Sequence, residues 1–340
     1  MKGQTMNTMA RFTFAALVTL GLAAPVLAHH SPAAFNTQQT VTVTGTVTKY
    51  RFANPHIYLT LDVKKPDGTV TSIEVEAGAA SVLNGLGFNA NSVKVGEVVS
   101  ITGNPGRREP EKLLLGRDLV KSDGAYVPLN ISSRSVYDGT VSTPATSIAG
   151  TWFSMGFGGF TGSARKWVLT DAAKALSAKM DARSTTQKDC VPIGLPFVTF
   201  YPVATTIEVL KDRVLIKTDW MDTDRTVYLD GRAHPPASQT SLHGHSVGRW
   251  EGKTLVVETT NFSEHPMGSS TNVPGSTQKK LTERFTLSED GKNLIVSGTV
   301  EDPRYLAQLG EWTGRLEYRP GMPHSNQKCD VEIARRFLKD

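Results

Sequence analysis

Apolar and polar residues alternate with a period of two through most of this chain of 340 residues. Residues 40–52, with the sequence TVTVTGTVTKYRF, are typical of a strand that buries one face. Turn-forming residues separate such segments, for example Pro66-Asp67-Gly68 and Asp290-Gly291. Many short strands with few helical patterns predict a mainly β protein and argue against an α/β fold.

The first half predicts a small OB-like β-barrel over residues 29–125. Its five predicted strands are residues 40–52, 56–63, 69–75, 93–102 and 113–120, and residues 77–86 predict one short helix. The stretch that follows is rich in Gly, Ser, Thr and Pro, which predicts a linker over residues 126–149.

Residues 150–340 predict a larger antiparallel β-barrel or sandwich, lipocalin-like, with one or two short helices. The clearest helix covers residues 170–182, with Thr170 or Asp171 as its N-cap. The clearest hairpin turns at Glu251-Gly252-Lys253. The predicted strands are residues 206–209, 214–219, 225–229, 246–250, 254–260, 281–287, 294–300 and 311–318.

The N-terminus has the features of a signal peptide. Lys2 and Arg11 supply positive charge, residues 12–22 form a short apolar stretch, and small residues precede a cleavage site after Ala28. We therefore expect a signal peptide over residues 1–28 and a periplasmic or secreted mature protein. No later apolar run reaches about 20 residues, so we expect no transmembrane segment in the mature chain. Removal of Lys2 and Arg11 with residues 1–28 would lower the net charge from +5 to +3, and a charge so close to neutral argues against a nucleic-acid partner.

The chain has two cysteines, Cys190 and Cys329. In an oxidising compartment two cysteines more often form a disulfide than a catalytic couple, and no CxxC spacing indicates a metal site. We therefore predict a Cys190–Cys329 disulfide that ties the end of the chain to its middle. Two separate buried thiols are the alternative.

Several motifs resemble known families. His29-His30-Ser31, Gly45-Thr46-Val47 and Asn54-Pro55-His56 resemble an uncharacterised domain family of exported bacterial proteins. The second half resembles another exported family without an assigned activity, through residues 190–196, 230–235, 244–262, 283–285 and 302–303. These resemblances imply an architecture and a compartment, but they imply no reaction.

Three histidines form a candidate metal site. Cleavage after Ala28 would make His29 the N-terminus, and an α-amine with two imidazoles is the ligand set of a histidine brace, which suits Cu(II). Alternatively His29, His30 and His56 form a three-histidine zinc site with an open position. The plainer alternative is that the terminal histidines lie in solvent and His56 only begins a strand.

Gly244-His245-Ser246-Val247-Gly248 matches the G-x-S-x-G motif of hydrolases, with Asp302 and His324 following in the order that those enzymes use. The motif requires a buried strand before the serine and a helix after it. Here polar residues precede Ser246 and another strand follows, so the context does not fit a nucleophile elbow.

A polar patch in the second barrel is another candidate site. His243 and His245 are two residues apart, so on a strand they would share a face. The candidate catalytic residues are His245, Ser246, Glu258 and Glu283, and the candidate ligand-binding residues are His234, His243, Arg249, Arg284 and Asp302. The alternative is a cross-strand ladder of ion pairs formed by Arg249, Glu283 and Arg284 on a solvated face.

Two hypotheses follow. The leading one is an exported two-domain protein that binds a small ligand, with copper or zinc at the terminal histidines as a candidate cofactor. The alternative is an exported hydrolase or lyase that uses His245 with nearby carboxylates, or Ser246. No P-loop, dinucleotide, zincin or haem motif is present, so the sequence leaves open whether the protein is an enzyme.

Overall fold

A computed structural model describes residues 34–134, 143–180 and 184–336. In these residues two β-barrels follow one another along the chain. The predicted signal peptide lies outside the described residues, together with His29 and His30.

The first barrel has the strand order of an OB fold. β1 pairs with β2 and β4, β2 with β3, and β4 with β5, while a parallel β3–β5 pairing closes the barrel. The predicted OB-like barrel is therefore confirmed. Its elements are β1 (Val41–Arg51), β2 (Tyr58–Lys64), β3 (Val70–Glu76), α1 (Ala80–Asn84), β4 (Val98–Pro105), β5 (Leu113–Lys121) and β6 (Tyr126–Pro128).

Period-two alternation explains the burial in this barrel. Leu59 and Leu61 of β2 face inward, as do Ile73 and Val75 of β3, while their polar neighbours face outward. Phe88, which follows α1, is fully buried in the same core. β6 lies at the start of the predicted linker, where it pairs with β5.

The second barrel is closed by nine strands of the described chain, which confirms the prediction of a larger β-barrel. Neighbouring strands are antiparallel except for one parallel pair, β10–β11. The strands are β7 (Gly150–Phe153), β8 (Ala204–Val209), β9 (Arg213–Thr218), β10 (Arg225–Tyr228), β11 (His245–Glu251), β12 (Thr254–Thr260), β15 (Lys280–Leu287), β16 (Asn293–Glu301) and β17 (Gly310–Tyr318), and a separate hairpin holds β13 (His265–Ser270) and β14 (Val273–Gly275).

Short helices occupy the connections of the second barrel. They are α2 (Gly158–Ala164), α3 (Asp171–Ser177) and α4 (Val331–Ala334), with 3-10 helices at Thr186–Asp189 and Phe197–Phe200. The Thr170 hydroxyl caps the N-terminus of α3, so of the two predicted N-caps, Thr170 and Asp171, the first is the one observed. None of the described helices has the length and apolar character needed to cross a bilayer.

Side chains fill the interior of the second barrel. Phe200, Phe285 and Trp312 are buried there, and the void lined by Phe285 and Leu316 measures about 20 Å³. That volume accommodates little more than one water molecule. The barrel interior therefore leaves no room for a ligand at this void, unlike the chamber of a lipocalin.

The predicted disulfide between Cys190 and Cys329 is present and spans 139 residues of sequence. Cys329 belongs to the C-terminal strap, the name used here for residues 321–336. The strap runs along the first barrel, where Asn54 Nδ2 donates to Gln327 O (2.8 Å) and Asp330 N donates to Asn54 O (2.9 Å). The strap is therefore hydrogen-bonded to the first barrel, and the disulfide attaches it to the second barrel.

The barrels also touch directly at Gly85, the residue after α1. A Cβ atom at this position would lie 2.1 Å from the Phe153 ring of β7, a distance that no side chain can adopt. The adjacent Asn84 Nδ2 donates to Pro323 O of the strap (2.5 Å). The end of α1 therefore packs against both β7 and the strap.

Removal of the disulfide should lower the free energy of unfolding. For a loop of this length the chain-entropy model assigns a cross-link about 4–5 kcal/mol. We expect the double variant Cys190→Ser/Cys329→Ser to lose several kcal/mol in guanidinium unfolding. A reductant should destabilise the wild type by the same amount and leave the variant unchanged. Equal stability of variant and wild type would contradict this prediction.

Candidate functional site

A cavity of about 460 Å³ lies between the two barrels. The first barrel contributes Pro55 and His56, from the loop between β1 and β2, and Val82 of α1. The second barrel contributes four aromatic side chains together with smaller apolar and polar ones, and Ala334 of the strap completes the lining. Clefts of this size between domains are common sites for small ligands.

Four aromatic rings form one wall of the cavity. Phe157 stacks on Phe197 with ring centroids 4.6 Å apart and an interplanar angle of 11°. Tyr201 stacks on Trp220 at 4.6 Å and 24°, and the ring of Phe157 meets Tyr201 edge-on. Rings held in this way present rigid apolar surface at little cost in conformational entropy.

Few polar groups face this cavity. The Gln187 side-chain amide donates to the Tyr201 hydroxyl. Burial raises the pKa of Tyr201 above its ordinary value, so this phenol is neutral at physiological pH. Among the described residues that line the cavity, none is Asp, Glu, Lys or Arg.

His56 presents one ring nitrogen that makes no hydrogen bond within the described part of the chain. Its Nδ1 lies 3.2 Å from Ala77 O and 3.3 Å from Glu76 Oε1. A carbonyl and a carboxylate only accept hydrogen bonds, so we assign the proton to Nδ1 and a lone pair to Nε2 in the neutral ring. Nε2 has no hydrogen-bond partner among the described residues.

Asn54 explains the position of His56. Asn54 is 1% exposed, and its Oδ1 accepts hydrogen bonds from Ser81 N and Ser81 Oγ, both at 3.1 Å. Since its Nδ2 and carbonyl bind the strap, Asn54 joins α1, the strap and the cavity loop. The Asn54-Pro55-His56 motif therefore places Pro55 and His56 in the cavity wall.

Of the predicted metal ligands, only His56 lies among the described residues. Within residues 34–134, 143–180 and 184–336, no group of three His, Cys, Asp or Glu side chains is placed to hold a metal ion. A site built on His56 would need His29 and His30, so metal binding stays a prediction.

A buried polar cluster inside the second barrel holds two of the predicted catalytic residues. It consists of Arg225, Ser246, Thr259 and Glu283. Arg225 forms an ion pair with Glu283, and also donates to Ser246 Oγ (2.9 Å) and Thr259 Oγ1 (2.8 Å). Glu283 is fully buried, so this arginine supplies the countercharge that its carboxylate requires.

The structure does not bring Ser246, Asp302 and His324 together. The Ser246 hydroxyl also pairs with Thr259 Oγ1 at 2.9 Å. Asp302 accepts two hydrogen bonds from Ser276, both 2.7 Å. His324 Nε2 lies 2.9 Å from Thr206 Oγ1. β11 continues directly from Ser246 as a strand, without the helix that a nucleophile elbow requires.

Other predicted residues form an ion-pair ladder on the outer face. Arg249 pairs with Glu258 and with Glu251, each at 2.9 Å, and Arg284 pairs with Glu251 at 2.8 Å. All four side chains are exposed, so solvent screens these pairs. Glu283 is not part of the ladder, because it faces the barrel interior.

His245 and His243 do not share their surroundings. His245 Nδ1 lies 3.0 Å from His234 Nδ1, and its ring stacks on Tyr228. His243 instead lies near the positive charges inside the barrel. The expectation of a common face was wrong because Gly244, with φ of +66°, interrupts the extended backbone between them.

Sequence reasoning missed Arg225 and Lys279. Lys279 is 2% exposed, and its Nζ donates to Gly268 O (2.6 Å) and Leu195 O (3.1 Å). Burial lowers the pKa of Lys279 to about 7. Alternation along β10 carried a signal for Arg225, because it shares a strand face with the buried Val227. Lys279 precedes the first residue of β15, so the alternation of that strand does not predict that its side chain is buried.

Residues 16–113 match the model of a family of unknown function (DUF6152). The match covers the first four strands of the first barrel and reaches the start of β5. It supports a domain of unknown function in the first half, while the marker motifs and the second family stay predictions. No curated protein matches the chain.

Acid should destabilise the protein through His243. Burial first, and then Arg225, Lys279 and His265, lower the pKa of His243 from 6.5 to about 4. Between these values the unfolded chain binds more protons than the folded one, so stability falls as pH drops from about 6.5 to 4.

We expect His243→Gln to remove up to about 3 kcal/mol of this pH-dependent loss in urea unfolding. Above pH 7 the wild-type and variant curves should run parallel, since His243 is then neutral in both states. A wild-type loss that the variant reproduces in full between pH 6.5 and 4 would contradict the assignment.

Proposed function

We propose that this chain is an exported, non-catalytic binding protein that holds a small, largely apolar ligand between its two barrels. The observation that carries the proposal is the cavity of about 460 Å³ with its wall of stacked aromatic rings. A mostly apolar cleft with a few convergent polar groups is the usual form of a small-molecule site.

The cavity replaces the location that we expected from the sequence, which was the second barrel. Most of the candidate residues in that barrel are paired with other side chains. His245 pairs with His234, Glu258 with Arg249, and Glu283 with Arg225, although Glu283 Oε1 has no hydrogen-bond partner among the described residues. These pairings favour a structural role over acid–base catalysis, and they favour binding over the hydrolase or lyase alternative.

Filling the cavity should abolish ligand binding. Thr161 of α2 lines the cavity, so a tryptophan there would occupy its volume. We expect N-phenyl-1-naphthylamine, a neutral aromatic fluorophore, to bind wild type with increased emission and to bind Thr161→Trp at least about tenfold more weakly.

Val95→Trp is the matched control, because Val95 is 63% exposed on a turn of the first barrel. It should bind the fluorophore as wild type does. Circular dichroism should show both variants folded. Equal binding by Thr161→Trp and Val95→Trp would rule out the cavity as the site.

We also propose metal binding as a second candidate function, because of one feature of His56. Its Nδ1 faces a backbone carbonyl and a carboxylate, as in most metal-binding histidines, where such partners orient the ring and leave Nε2 for the metal. His29 and His30 would complete a copper or zinc site at that nitrogen.

Copper and zinc titrations of a chain that begins at His29 test this candidate. We expect stoichiometric binding that His56→Ala and His29→Ala weaken by at least about tenfold. One extra residue before His29 removes the α-amine from position but keeps all three imidazoles. Loss of copper affinity in that chain would indicate a brace, whereas unchanged zinc affinity would indicate three imidazole ligands. Absence of stoichiometric binding would exclude the site.

A further inference from the structure

We infer that the ligand of the cavity is a neutral aromatic compound with a hydroxyl or N–H group, and that His56 Nε2 accepts the hydrogen bond from that group. The inference rests on the proposed function and adds a ligand class and a recognition residue to it. Three observations carry it: the contacts that orient the His56 imidazole, the absence of charged side chains in the described lining, and the stacked aromatic rings of the cavity wall.

The surroundings of His56 decide which partner it can bind. Glu76 Oε1 and Ala77 O both lie within 3.3 Å of Nδ1, so a proton on Nδ1 is stabilised by two hydrogen-bond acceptors. In the neutral ring with its proton on Nδ1, the remaining nitrogen offers a lone pair and no proton. A ligand hydroxyl or N–H complements this atom, whereas an ether or ester oxygen does not.

The distribution of charge favours a neutral ligand. No described lining residue is Asp, Glu, Lys or Arg, so a charged ligand would lose hydration without gaining a countercharge. An anion at Nε2 would also be repelled by the Glu76 carboxylate behind the ring. The nearby Arg336 cannot compensate, because it pairs with Glu74 and lies over the Tyr58 ring.

The aromatic wall favours a flat ligand. Phe157 and Phe197 are within 11° of parallel, and Phe157 meets Tyr201 at 84°. These contacts hold the rings in place, so a planar ligand finds faces and edges that are already oriented. A flexible aliphatic chain would lose more conformational entropy than a planar ligand on binding against the same wall.

The test compares 2-naphthol with 2-methoxynaphthalene, which keeps the ring system but cannot donate. Calorimetric titrations in EDTA, on wild type and on His56→Phe, give four affinities. One hydrogen bond corresponds to a preference of about 3–10-fold. We expect wild type to prefer 2-naphthol by that factor, the preference to vanish in His56→Phe, and 2-naphthoate to bind more weakly than 2-naphthol.

His56→Gln is the second variant, because its amide oxygen can accept a hydrogen bond, and it should retain part of the preference. Equal wild-type affinities for naphthol and its ether would overturn the inference and leave the proposed function standing. Tighter binding of 2-naphthoate, a preference that survives in His56→Phe, or binding that EDTA abolishes would also overturn it. Failure of all the compounds and of the fluorophore would overturn the proposed function itself.

Discussion

The hydrogen bonds of Asn54 are the constraint on which the arrangement of the two barrels depends. One buried side chain accepts from Ser81 at the start of α1 and donates to Gln327 of the strap. The disulfide at Cys329 then fixes the strap to the second barrel. Asn54 belongs to the first barrel and Cys190 to the second. The hydrogen bonds of Asn54 and the disulfide therefore hold the two walls of the cavity in position.

The buried polar cluster inside the second barrel stabilises the fold. Arg225 and Glu283 are buried as a pair, and Ser246 and Thr259 use further donors of the guanidinium. Loss of either charge would leave the other buried without a partner, which is far more costly than the loss of an exposed pair. Packed aromatic side chains fill much of the remaining interior, whereas a cavity of about 460 Å³ lies between the barrels.

Much of the fold was predictable because strand periodicity is local. The predicted strands of the second half agree with β8 to β12 and β15 to β17 within about two residues. The faces of the two glutamates were not predicted: Glu258 and Glu283 were expected in one polar patch, whereas Glu258 faces outward and Glu283 inward. The hairpin of β13 and β14 was missed, since its Gly, Pro and Ser residues carry no alternation.

By itself the sequence determined a mainly β chain with two barrels and, through its two cysteines, the disulfide. Local alternation and the small number of cysteines suffice for those conclusions. Only the tertiary structure decided where a ligand has room and which polar residues meet. Phe157, Tyr201 and Trp220 are distant in sequence from His56, and the cavity that they share arises from long-range packing of loops, which no local period records.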